Sequence, residues 1–325
     1  MPRALITGIT GFVGPWLAGH FRERSIVCAG IARGPAPAPH PIGLDGLRIH
    51  DVDIRDRDAL RGVLAAEKPD IVVHLAALSH VPTSWAQPEL AFEVNAAGTF
   101  NLLEGLRTVA PHARTVVVSS GNLYGHADSG AAGFSEDSPL QLTSPYATSK
   151  RVAELLAESY AREFGMSVVI ARPFNHTGPG QPPAFACPEF ASKIAAGAVH
   201  GRPVHMKTGP LEPCRDISDV RDVVRAYALL ADRGKPGEIY NVCSGSSISM
   251  GAVIAMLAEM AGVPVTTELD PARMRPQEIM HSGGNCDKIR RDLGWVPEIS
   301  LSTTLRDILN YWIERVKAEP AAAGE

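Results

Sequence analysis

The chain has 325 residues, 45% of them apolar and 20% charged, and its 31 Lys and Arg against 35 Asp and Glu leave a net charge of −4. That is the balance of a globular protein long enough to bury one large core or two modest ones without disulfide staples. It excludes collagen-like repeats and wholesale disorder, and a near-neutral charge with no long basic run argues against a nucleic-acid partner. The cysteines, Cys28, Cys187, Cys214, Cys243 and Cys286, are scattered and show no C-x-x-C or Cys/His spacing, so no metal site is expected. No run of 18 apolar residues occurs, and nothing like a secretory h-region follows Met1-Pro2-Arg3. No membrane partner and a reduced, cytoplasmic setting are therefore expected.

In chain order, the first half alternates short Val- and Ile-rich runs with helical patterns. Strands are expected at 3–7, 26–32, 71–76, 115–120 and 167–172, each apolar almost throughout, as strands buried on both faces must be. Helices are expected at 15–24, 56–67, 89–109 and 146–164. The proline-rich stretch 35–41 reads as a stiff surface loop. The second half is less regular, with helices expected at 188–198, 219–231, 250–261 and 301–317, a strand at 238–243, and a fraying tail at 319–325. Strand–helix alternation predicts an α/β fold, a Rossmann-type doubly wound parallel sheet. The expected division is a dinucleotide-binding domain over 1–173, to which segments near 213–247 return, and a smaller α/β lobe over 174–325. A ligand is expected between them, outside the carboxyl ends of the strands.

The turn Gly8-Ile9-Thr10-Gly11-Phe12-Val13-Gly14 directly follows the first strand and opens a helix. Its glycines permit a tight turn and close backbone approach to a pyrophosphate at a helix N-terminus. Gly8, Gly11, Phe12, Val13 and Gly14 are therefore candidate cofactor contacts. At the end of the second strand no acid is available for a ribose 2′-hydroxyl. Arg33 stands there instead, where a guanidinium suits a 2′-phosphate. The cofactor expected is NADP(H), with NAD(H) still possible, and Asp53 and Ile54 fall in a loop suited to the adenine.

Tyr146 and Lys150 lie four apart and share a helix face. A nearby ammonium favours the phenolate of a group whose reference pKa is about 10, and such a pair can pass a proton to or from an alcohol oxygen. A Ser-rich strand end, 118–125, precedes them. Together with His74-Leu75-Ala76-Ala77 and Asn95, these pieces resemble the extended short-chain dehydrogenase/reductase family along nearly the whole chain. The resemblance implies that Ser120 bonds the reacting oxygen, that Tyr146 is the general acid or base, and that Lys150 holds the nicotinamide ribose and lowers the tyrosine pKa. It extends the cofactor site to Leu75, Ala76, Ala77, Asn95 and Arg172.

Three later stretches, 171–181, 214–222 and 270–278, resemble the nucleotide-sugar branch that handles GDP-mannose derivatives. A GDP-linked hexose needs cations for its pyrophosphate, and Arg offers bidentate geometry. Arg215 and Arg275 are the candidates. Glu278 suits ribose hydroxyls, Asn175 a phosphate or sugar hydroxyl, and Ser79, His80 and Asn122 the hexose pocket. His176 and Gln181 are expected to shape their loop, and 240–245 to be structural. In this branch the dehydratases carry Glu, and the fucose-forming epimerase–reductase Cys, three places before Gly125. Asn122 stands there. The resemblance then implies direct reduction of a C4 ketone, with 4,6-dehydration or 4-epimerisation as the alternative. The helix after Tyr146 is apolar on more than one side, through Ala147, Val152, Ala153, Leu155, Leu156, Ala157, Tyr160 and Ala161, which predicts a homodimer.

Overall fold

The computed structural model describes residues 1–34, 40–126, 133–274 and 279–318. Residues 35–39 of the expected loop 35–41 and the tail at 319–325 lie outside them.

The large sheet contains β1 (Arg3–Thr7), β2 (Val27–Ala32), β3 (Arg48–Asp51), β4 (Ile71–His74), β5 (Arg114–Val118), β6 (Val168–Pro173) and, from far along the chain, β10 (Ile239–Val242). All neighbours run parallel, in the order β10-β6-β5-β4-β1-β2-β3. The order reverses direction between β1 and β4, the crevice where open α/β sheets bind ligands. β3 was not expected. Its residues Arg48, Ile49, His50 and Asp51 form an exposed edge strand with no apolar run, and Asp51, read as loop, is its last residue.

Helices cover both faces, as parallel strands require. On one face α1 (Val13–Glu23) packs with α8 (Val220–Arg233), burying Leu17, Phe21, Val223, Val224 and Tyr227. On the other lie α2 (Arg57–Glu67), α5 (Gly98–Val109) and α6 (Pro145–Phe164), with Leu60, Leu64, Leu102, Leu106 and Ala157 in the core. The expected helix 89–109 is three pieces: α4 (Pro88–Phe92), a π-turn over Glu93–Ala97, and α5. A short helix not foreseen, α3 (Val81–Ala86), precedes them.

At Phe174 the chain leaves β6 and enters the second lobe through β7 (Asn175–Thr177), which pairs with β9 (Cys214–Asp219). β11 (Ser247–Ser249) and β13 (His281–Ser282) complete that sheet, and β8 (Val204–Thr208) pairs with β12 (Val265–Leu269). The lobe's core forms where α7 (Ala186–Val199), α9 (Met250–Ala261) and α11 (Leu301–Ala318) meet, around Phe190, Ile194, Val253, Leu257, Leu305 and Ile308. Within 213–247, α8 and β10 lie with the large sheet, whereas β9 and β11 pair in the second lobe. α10 (Asp287–Leu293) packs back on β10 and α8. Among the described residues no helix is long and apolar enough to cross a membrane.

Candidate active site

A cleft of about 900 Å³ runs from the glycine turn across the ends of the central strands into the second lobe. Its first end is built by the backbone. Gly8 sits at φ +72°, and a Cβ there would lie 2.8 Å from the Ala76 amide nitrogen. A Cβ on Gly14 would collide with the Ile9 backbone. Only glycine fits either place. Gly11, Phe12 and Val13 complete this wall, Arg33, Asp53 and Ile54 flank it, and Leu75, Ala76 and Ala77 face it from the end of β4. Asp53 holds Arg55 through two oxygens and lies 3.7 Å from Arg33, and the Arg55 hydrogen bonds draw its carboxyl below the usual range.

The middle of the cleft holds Ser120, Asn122, Tyr146 and Lys150. Ser120 follows β5 and caps a 3-10 turn, its Oγ accepting from Asn122 N at 3.1 Å. Helix α6 begins just before the tyrosine, with Ser144 as N-cap and Pro145 in the first turn. Tyr146, Lys150 and Glu154 form one stripe along it. The first two line the cleft, and the third is buried below them. Burial pushes the Tyr146 phenol up from its ordinary value, and its hydrogen bond with Ser120 opposes that. Lys150 was expected to lower this pKa directly. Its ammonium instead donates to the Val118 carbonyl, and burial brings it down to about 8.

The second-lobe end carries Asn175, Arg215, Arg273 and Glu189, with Leu211, Pro213, Phe190 and Met250 as apolar surface. Arg273 donates to both oxygens of Glu189, at 2.8 and 2.9 Å, and Lys193 to one of them at 2.6 Å. Arg215 donates to the carbonyls of Cys214 and Ile279.

A family model described as GDP-mannose 4,6 dehydratase matches residues 5–308. The chain belongs to that family. Within it, the chain is 34% identical over 317 residues to a GDP-6-deoxy-D-mannose reductase of Pseudomonas aeruginosa, covering 98% of this chain and 99% of that one. It is 27% identical over 341 residues to a GDP-mannose 4,6-dehydratase of Vibrio cholerae, covering 92% and 90%. Among solved structures it is similar to RMD from Pseudomonas aeruginosa complexed with NADPH, with a TM-score of 0.84, 33% identity and coverage of 97% and 98%. It is also similar to a Thermus thermophilus UDP-glucose 4-epimerase in complex with NAD, with a TM-score of 0.85, 30% identity and coverage of 95% and 98%.

Membership of the GDP-mannose 4,6-dehydratase family makes the chain an enzyme on a dinucleotide-binding fold, and the cleft fits a dinucleotide. Beside the glycine cradle, the buried Ser119 Oγ on the cleft wall finds no hydrogen-bond partner among the described residues, which is the condition of a hydroxyl that serves a ligand. Most of the candidate residues converge here: Gly8, Gly11, Phe12, Val13, Gly14, Arg33, Asp53, Ile54, Leu75, Ala76, Ala77, Ser79, His80, Ser120, Asn122, Tyr146, Lys150, Asn175 and Arg215. Gln181 bonds Thr177 and the His176 carbonyl, the loop-shaping part expected of it.

Two candidates are corrected. Arg172 is 2% exposed and is not on the cleft wall but bonded to Glu154 and to the Tyr124 hydroxyl, a structural place rather than one facing the cofactor half. Asn95 is buried outside the cleft wall, and its amide bonds both backbone groups of Leu78 and the Ser149 hydroxyl, so it stands behind the cleft rather than on it. Arg275 and Glu278 lie outside the described residues. Glu189, Arg273, Ser119 and Tyr227 line the cleft and were not singled out. Arg273 stood within a quoted stretch, but its partner Glu189 is 84 positions away, and no local pattern joins them.

Proposed function

We propose that the protein is an NADPH-dependent reductase that converts GDP-4-keto-6-deoxy-D-mannose to GDP-D-rhamnose. The observation that carries this reading is Asn122. It stands beside the Ser120, Tyr146 and Lys150 set in the cleft, where a dehydratase needs a carboxylate. An amide takes up no C5 proton, so the simplest chemistry left to the intact set is direct ketone reduction. The full-length likeness to a GDP-6-deoxy-D-mannose reductase supports it.

NADPH, when bound, supplies the hydride that C4 receives. The glycine turn would hold its pyrophosphate and Arg33 its 2′-phosphate, and Asp53 and Ile54 would flank its adenine. Tyr146, protonated at neutral pH because burial raises its pKa, gives its proton to the oxygen developing at C4. Ser120 donates to the same oxygen, a fixed dipole aimed at charge that grows in the transition state. Lys150 supplies positive charge one helical turn from the phenol. In the second lobe, Arg215 and Arg273 take the diphosphate, with Asn175 beside them, while Ser79, His80 and Asn122 face the hexose.

The test is incubation of the enzyme with NADPH and the GDP-4-keto sugar, following cofactor absorbance and the product by NMR. Stoichiometric NADPH consumption and a rhamno-configured product are expected. No net consumption points to epimerisation, and a talo product to hydride delivery on the other face.

We further read the enzyme as a homodimer. Phe92, Phe100, Leu155 and Phe164 stand exposed on α4, α5 and α6, helices that pack against one another. So much apolar surface on adjoining helices suits a partner subunit. Light scattering at micromolar concentration is expected to give twice the chain mass, and a monomer would contradict this reading. A cytoplasmic setting accords with five free thiols.

A further inference from the structure

His74 closes β4 and is completely buried between the sheet and α5. Its Nδ1 lies 2.7 Å from Thr7 Oγ1 and its Nε2 3.0 Å from Thr99 Oγ1. Counting protons fixes the direction of each bond. The Thr99 hydroxyl lies 2.6 Å from the Asn95 carbonyl, which only accepts, so its single proton is spent there. It must therefore accept from His74, and Nε2 carries the ring proton. Burial, reinforced by the Lys150 charge, holds the imidazole far below its ordinary pKa, at about 3, so the ring is neutral and Nδ1 is bare. Nδ1 then accepts from the Thr7 hydroxyl, whose oxygen in turn accepts from the Ala76 amide at 3.2 Å.

The chain of bonds continues beyond Thr99. The π-turn over Glu93–Ala97, where Gly98 N reaches back to Glu93 O, carries Asn95. Such turns often mark functional sites. The Asn95 amide accepts from Leu78 N at 2.7 Å and donates to Leu78 O and to Ser149 Oγ. Ser149 Oγ donates to the carbonyl of Tyr146 at 2.8 Å. The segment 75–78 lines the cofactor half of the cleft, and Tyr146 lines its centre. A single directed network thus joins two walls of the site, and none of His74, Thr99, Asn95 and Ser149 lines the cleft.

We propose that His74, as the neutral Nε2-protonated tautomer, is a positioning residue that locks the cofactor-facing loop 75–78 and the backbone under Tyr146 into one register. This rests on the reading of Tyr146 as the proton donor. The other tautomer would leave a bare Nε2 facing the Thr99 oxygen, whose proton is spent on Asn95, and would turn the Thr7 proton away from the ring, so the bonds on the Thr99 side order one state.

Two measurements test it on the full chain. Nitrogen-15 NMR of the wild-type histidines should show the His74 ring neutral and protonated at Nε2 at neutral pH. An Nδ1–H tautomer or a cationic ring overturns the proposal, and this arm needs no variant. Thr99→Val keeps the volume and removes the hydroxyl, whereas Thr99→Ser keeps it. The valine variant should weaken NADPH binding, read by fluorescence titration, and lower kcat by roughly tenfold to a hundredfold, the scale of a 1 Å misplacement. The serine variant should recover both. Wild-type NADPH affinity and kcat in Thr99→Val, whatever its Tm, would show a role in stability alone. The titration and the NMR require no turnover, so failure of this proposal is distinguishable from failure of the reductase reading.

Discussion

Arg172 grips Glu154 through two parallel bonds, Nε to Oε1 at 2.7 Å and Nη2 to Oε2 at 2.8 Å, with both side chains sealed from solvent. The guanidinium also lies 5.3 Å from the centre of the Tyr124 ring and donates to the Tyr124 hydroxyl, which passes the contact on to Asn241. The pair therefore pins α6, β6, the turn after Ser120 and β10 together directly beneath the catalytic set. Removing Arg172 leaves the buried Glu154 carboxylate with Arg151 alone, through its Oε2 at 2.8 Å. Arg172→Met is expected to destabilise by about 3 kcal/mol, the low end for a broken buried pair. Arg172→Met combined with Glu154→Leu should cost less than Arg172→Met alone. Urea unfolding of the three proteins checks this, and additive losses would show that the charges are not coupled.

Tyr146→Phe should lower reductase turnover by about 10²–10⁴-fold, the range for a lost general acid, while leaving NADPH affinity near that of the wild type. The pH dependence follows from which forms are active. In the proposed mechanism, reduction uses the protonated phenol and the Lys150 ammonium. The rate is therefore flat through neutrality and falls as pH rises, first where Lys150 discharges at about 8 and then where the phenol, raised by burial, ionises. A rate of reduction that climbs between about pH 7 and 9 would contradict the assignment of Tyr146 as acid.

Arg33 follows the last residue of β2 at the cleft edge, its side chain 68% exposed and 3.7 Å from Asp53. NADPH should be preferred to NADH in kcat/KM. Arg33→Ala should cost NADPH about tenfold or more, the worth of a charge-assisted hydrogen bond, and leave NADH nearly unchanged. Equal losses for both cofactors would remove the 2′-phosphate from the account.

Much of this was legible in local sequence because the physics is local. The glycine turn and the Tyr146/Lys150 spacing are fixed by a few neighbouring residues, and the central strands advertise themselves as apolar runs. What was hidden depended on direction or distance. All six residues of β6 are buried, so the sequence does not say which of them reaches the cleft; Pro173 lines it, whereas Arg172 is taken up by Glu154 on α6. Asn95 belongs to a motif, but the π-turn decides that its amide serves Leu78 and Ser149. β3 joins the sheet through backbone pairing with β2 and has no apolar pattern to announce it.

Asn122 decides between the reactions open to this scaffold. Its backbone amide bonds Ser120 Oγ and the residue lines the cleft, which in the proposed mechanism sets it beside the reacting oxygen. Dehydration of GDP-mannose requires a base that takes the C5 proton, and a carboxamide is not basic at any useful pH. The wild type is expected to form no 4-keto-6-deoxy product from GDP-mannose with catalytic NADP. Asn122→Glu restores a carboxylate at the place the dehydratases use. Trace dehydration at most is expected, because a base misplaced by about 1 Å loses roughly 10²-fold. The same substitution puts a negative charge against the developing oxygen at C4, so reduction of the 4-keto sugar should slow in the variant. Mass spectrometry of both reactions separates the outcomes. Robust dehydration by the wild type would mean that another residue in the cleft supplies the base, and would make the enzyme a dehydratase.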